Sequence, residues 1–196
     1  FQAVNVRGVR GKTPALHGQG TGTLLQGAQC RGNLPIEANM PDRMPTVFVS
    51  HGAPSLLLEQ GPAYEFLQRL SGLLPRPRAV VCISAHWDSV RPALTGHPAP
   101  DTVHDFYGFP AALYDVRYAC PGDALLADAL RTRLLESGLQ ADIHPTRGLD
   151  HGAWVPLMLM YPAADIPVIQ LSVQSATGAR HHWTLGRALQ PLRDQG

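Results

Sequence analysis

The chain has 196 residues, a net charge of +1 and 16% charged residues. That balance gives no basic field for nucleic acid, and no uninterrupted apolar run reaches the ~18 residues of a membrane span. With 44% apolar residues, one domain with one buried core is expected. Cys30, Cys82 and Cys120 show no paired metal-ligand spacing, and their odd number favours a reducing compartment. No apolar signal segment opens the chain, so a cytoplasmic location is expected.

Residues 1–43 are rich in glycine, poor in aromatics and without a sustained period. They read as a disordered or non-native extension. Met44, directly before PTVFVS, and Met40 are natural first residues. From there the order is regular. PTVFVS (45–50) predicts a strand, and Tyr64, Leu67 and Leu70 mark a helix near 59–72. AVVCIS (79–84) predicts the next strand, with Cys82 as a small buried hydrophobe. The stretch 88–121 is long, irregular and rich in proline and aromatics, with a short strand near 90–95. Asp123 caps a helix that ends at Gly138. A short strand is expected at 139–143 and a helix near 153–160. PVIQLSV (167–173) reads as a buried strand, and 181–193 as a last amphipathic helix. The alternation predicts an α/β fold, a three-layer domain around a mostly parallel sheet.

Two histidines follow predicted strands: His51 after PTVFVS and His86 after AVVCIS. Strand ends of this kind converge at the carboxyl edge of a parallel sheet, where α/β folds bind ligands. His151, in Gly148-Leu149-Asp150-His151-Gly152-Ala153-Trp154, is the third candidate. Asp150 beside it could fix its tautomer. Trp87 would shield the site, and Asp88 could orient a ring nitrogen or lie at the surface. The segment His104-Asp105-Phe106-Tyr107-Gly108-Phe109 mixes polar and aromatic groups, as either a pocket wall or a packed loop would. No G-x-S-x-G elbow or phosphate loop is present.

Taken in order, Ser50-His51-Gly52-Ala53-Pro54, Ser84-Ala85-His86-Trp87, the His104–Pro110 block, Gly148–Trp154 and YPAADIPVIQLSVQ resemble the class III extradiol ring-cleavage dioxygenases. The likeness is to the 4,5-DOPA dioxygenase-like branch, a LigB-type catalytic domain, over roughly residues 44–196. It implies a non-haem Fe(II) enzyme that opens a DOPA-like catechol with O2 to a muconic semialdehyde-type product. Zinc is also implied as an occupant of the same site. His51 and His86 match the first two metal ligands, and His151 an active-site histidine beside the substrate, placed away from the metal. His104 matches the pocket wall, with Tyr107 and Trp87 as further pocket candidates. The partners implied are a small aromatic diol and O2, with no nucleic acid or membrane and the oligomeric state open.

Members of this branch continue beyond the last helix into another strand, a Gly-rich turn, a His-Asn-Leu segment and a late third ligand. The chain ends at Gly196 without them. The sheet is therefore expected to be incomplete at the carboxyl end and the third ligand absent. The alternatives are a fragment of a longer enzyme, or a degenerate copy that binds zinc or iron weakly or not at all and is inactive.

Overall fold

The computed structural model describes residues 43–196. The extension expected over 1–43 lies, but for its last residue, outside the described residues. The sheet has four strands: β1 (Val80–Asp88), β2 (Ala93–Thr95), β3 (Asp142–His144) and β4 (Val168–Val173). Their spatial order is β1-β4-β2-β3. β1 runs parallel to β4 and β2 parallel to β3, while β2 meets β4 antiparallel at Leu94–Leu171. The mostly parallel α/β sheet is thus observed. β4 is central and nearly wholly buried, as its continuous β-branched and apolar run requires.

Helices cover both faces. On one side lie α1 (Pro62–Leu70) and α3 (His151–Met160), on the other α2 (Ala124–Glu136) and α4 (Gly178–Leu189). Period-two alternation along β4 explains the two cores. Val168 joins the cluster with Leu67, Leu70 and Trp154, whereas Ile169 and Leu171 join Leu94, Leu130, Leu134 and Leu185.

Local chemistry sets the helix limits. Pro62 opens α1, where its missing N–H costs nothing. Asp123 Oδ1 accepts the Leu126 N–H at 2.9 Å, and Gly138 in the left-handed region closes α2. α3 buries almost every residue, including Pro156 in its interior. A helix that is apolar all round must be enclosed on most sides, and α3 packs against both α1 and β1.

Two expectations are corrected. Residues 45–50 join no strand, and Val47 and Phe48 are exposed. β-branched residues favour extended backbone, but a strand also needs a ladder partner. The residue just before this segment, Met44, donates its backbone N–H to Arg193 O at 2.7 Å. The second strand does not stop at residue 84. A register irregularity between Ile83 and Asp88 carries β1 through His86 and Trp87 before it rejoins Val173.

Candidate metal centre

His51 reaches the centre from a segment outside the sheet rather than from a strand end. Gly52 follows with φ of 63°, a left-handed bend that favours glycine, and Pro54 starts a 3-10 turn over Pro54–Leu57. His86 stands within β1, where its backbone N–H donates to Ser84 Oγ at 3.2 Å. His151 is the first residue of α3 and is buried. The three rings meet, with centroids 4.9 Å apart for His51–His86, 5.0 Å for His51–His151 and 4.0 Å for His86–His151.

One nitrogen from each ring lies within 4.8 Å of the others, a group able to hold a metal ion. His51 Nε2 and His86 Nε2 are 3.0 Å apart. Two metal–nitrogen bonds of about 2.1 Å at a right angle produce about that spacing. Imidazole nitrogens suit iron and zinc. Burial holds His51 below the usual histidine range, and the neighbouring His151 and His86 push it the same way. The neutral imidazole so favoured is the form that binds metal. The residues therefore fit a first-row divalent ion. His151 was expected apart from the metal position, but the fold brings it into the same cluster.

The tautomer of His151 is set by Asp105, not by Asp150. Asp105 Oδ1 lies 2.8 Å from His151 Nδ1 and accepts the His151 backbone N–H at 3.0 Å. Burial opposes ionisation of Asp105, but these hydrogen bonds outweigh it and hold the carboxyl below its ordinary range. With Nδ1 donating, Nε2 of His151 keeps its lone pair. Asp150 instead pairs with Gln170 on β4, which donates to Oδ2 through Nε2 and accepts the Asp150 N–H at 3.1 Å. Adjacent side chains rarely face one another, so the sequence neighbour lost to a residue 46 positions away.

The pocket candidates divide. His104 Nε2 lies 3.0 Å from Val116 O, and the ring packs among Phe106, Tyr114 and Trp154. The aromatic beside the cluster is Phe106, 5.7 Å from His151 and set edge-on. Tyr107 is 91% exposed. Trp87 is buried, with the Arg147 guanidinium 4.5 Å above its ring and His144 nearby. Asp88 accepts from the Ser175 N–H at 3.0 Å and from the Ser175 hydroxyl. The long 88–121 connection is pinned to the segment before α3 by the Val103 N–H to Leu149 O bond, 2.8 Å, and to α3 itself by Trp154 Nε1 donating to Val103 O, 2.9 Å. Sequence reasoning missed the roles of Asp105, Phe106 and Gln170. Only the tight polar-aromatic spacing of residues 104–109 hinted at the first two.

Residues 45–196 match the family described as the catalytic LigB subunit of aromatic ring-opening dioxygenase. A 4,5-DOPA dioxygenase extradiol of Beta vulgaris is 47% identical over 155 residues, covering 77% of this chain and 58% of that protein. Its counterpart in Escherichia coli K12 is 44% identical over 154 residues, covering 79% and 56%. A crystal structure of an uncharacterized protein from Escherichia coli K12 superposes with a TM-score of 0.57 at 35% identity, covering 70% of this chain and 51% of that one. The chain thus spans a little over half the length of these curated relatives. No helix among the described residues is long and apolar enough to cross a membrane. On the match over residues 45–196, the chain belongs to the LigB family of extradiol aromatic ring-opening dioxygenases.

Proposed function

We propose that this centre serves extradiol cleavage of a DOPA-like catechol by O2, giving a muconic semialdehyde-type product. The observation that carries the reading is the convergence of His51, His86 and His151 in a chain of this family. In this reading residues 44–196 form the catalytic domain, or the part of it present here, and His51 and His86 hold Fe(II). Zinc competes for the same nitrogens. When bound, iron would supply Lewis acidity and an electron for O2 chemistry. The setting proposed is cytoplasmic, with Cys82 and Cys120 as free thiols.

The protein's own groups bind, orient and move a proton. His151, braced by Asp105, is the proposed catalytic residue. Its Nε2 accepts a phenolic proton and returns it. Phe106 offers an aromatic edge to the substrate ring. His104 supports that wall, Tyr107 contributes from the solvent side, and Trp87 acts at one remove by holding Arg147. A second reading, favoured by the 4.8 Å cluster, makes His151 the third ligand.

Anaerobic loading with Fe(II), followed by DOPA and O2 in an oxygen electrode, tests the proposal. Oxygen uptake with a yellow product is expected from the wild type. His51→Ala and His86→Ala should lose both metal and turnover. His151→Ala should keep the metal and lose turnover if it is catalytic, and lose the metal if it is a ligand. An iron-loaded wild type that consumes no oxygen would reject activity for this chain and favour a metal-binding, inactive relative.

A further inference from the structure

Asp150 is fully buried, yet among the described residues no group donates to its Oδ1. Oδ2 is served by Gln170, itself fully buried. Arg147 Nη2 forms a long ion pair with Oδ2 at 3.7 Å, beyond hydrogen-bond reach, from a side chain 26% exposed, and leaves Oδ1 unpaired. The orphaned oxygen lies toward the histidines. A Cβ built on Gly152 would stand 3.2 Å from Asp150 Oδ1, 2.8 Å from His86 Cδ2, and in collision with Ser84 Oγ. The carboxylate oxygen, the imidazole edge and the serine hydroxyl therefore border one gap beside Gly152.

A buried carboxylate with an unpaired oxygen is destabilising by itself. Such a cost persists where the charge serves something else, and an unsatisfied buried group calls for that explanation. Imidazole ligands bring no negative charge to a divalent cation. We infer that Asp150 is a positioning residue, the buried counter-charge of a divalent cation held at the cluster of His51, His86 and His151, kept in place by Gln170. This rests on the metal-centre reading above.

Asp150→Asn separates charge from shape. The amide oxygen can still accept from Gln170 Nε2. Its NH2 replaces the orphaned oxygen with no negative charge. Removing the charge should thus weaken the ion while sparing the metal-free fold. Titration calorimetry with Zn2+ on wild type and Asp150→Asn, with scanning calorimetry of both metal-free proteins, reads the two effects. The expected result is a loss of affinity on the order of 10–100-fold, with a metal-free melting temperature equal to or above that of wild type. Unchanged affinity, or a lowered metal-free melting temperature, overturns the inference, the latter by making Asp150 a structural tie. A wild type that binds no Zn2+ defeats the metal-centre reading itself. A wild type that binds while Asp150→Asn binds equally defeats this inference alone.

Discussion

Asp105 grips His151 twice through one oxygen, at the backbone N–H and at ring Nδ1. One carboxylate therefore fixes both the start of α3 and the orientation of its imidazole. Asp105→Ala leaves the His151 N–H, in a residue 6% exposed, without its partner. A loss of about 1–3 kcal/mol is expected in urea denaturation. Asp105→Asn can still accept these bonds but lacks the charge. It should keep most of the stability and lose about 10–100-fold in the activity of the iron-loaded protein. Equal activity in Asp105→Asn and wild type would show that the carboxylate only fastens the helix.

Metal binding should be visible as stability. An ion that binds the folded centre but not the unfolded chain adds about 2.7 kcal/mol at a hundredfold excess over its dissociation constant. For a domain of this size that is roughly 5–10 °C in melting temperature. EDTA should reverse the rise, and His86→Ala should abolish it. A melting temperature indifferent to Zn2+ and Fe(II) would leave the three histidines as a packing cluster.

The parts of the fold governed by local rules were legible in the sequence. Leu67 and Leu70 marked α1, Asp123 and Gly138 bracketed α2, and the apolar run 167–173 became β4. Pairing was not legible. The residues at 45–50 favour an extended chain whether or not a neighbouring strand is present, so they could not report that none pairs with them. The approach of His51 to His86 followed from placing both at one sheet edge, although neither stands just past a strand end as expected. Asp105, Phe106 and Gln170 depend on contacts across long stretches of chain. Composition and period carry no trace of those.

The two cysteines among the described residues should resist alkylation in the native protein. Burial pushes the Cys120 thiol up to about 11, and Cys82 up to about 12 with a further push from the Asp150 charge. At mildly alkaline pH almost no thiolate forms at either, and the thiolate is the nucleophile. Iodoacetamide treatment with peptide mapping should find Cys82 and Cys120 unmodified until guanidinium is added. Cys82 is only partly covered, so rapid native labelling there would mean that its thiolate forms more readily than the surrounding burial and the Asp150 charge allow.

Two glycine substitutions should act in opposite directions. Gly186 lies in α4 with nothing within 4 Å of an added Cβ. Gly186→Ala gains helix propensity without a clash and should stabilise by about 0.5–1 kcal/mol. Gly152 is also helical, so propensity alone predicts the same sign. Its Cβ, however, would strike Ser84 Oγ and crowd His86 Cδ2 at 2.8 Å. Ser84 is buried on β1, and its hydroxyl holds the His86 N–H, so it has little freedom to withdraw. Overpacking of this kind costs about 1–3 kcal/mol, which outweighs the propensity gain. The same displacement moves His86 away from His51, so Gly152→Ala should also weaken Zn2+ in calorimetry, whereas Gly186→Ala should not. If Gly152→Ala proves as stable and as tight for metal as wild type, the close approach of α3 to β1 does not set the geometry of the centre.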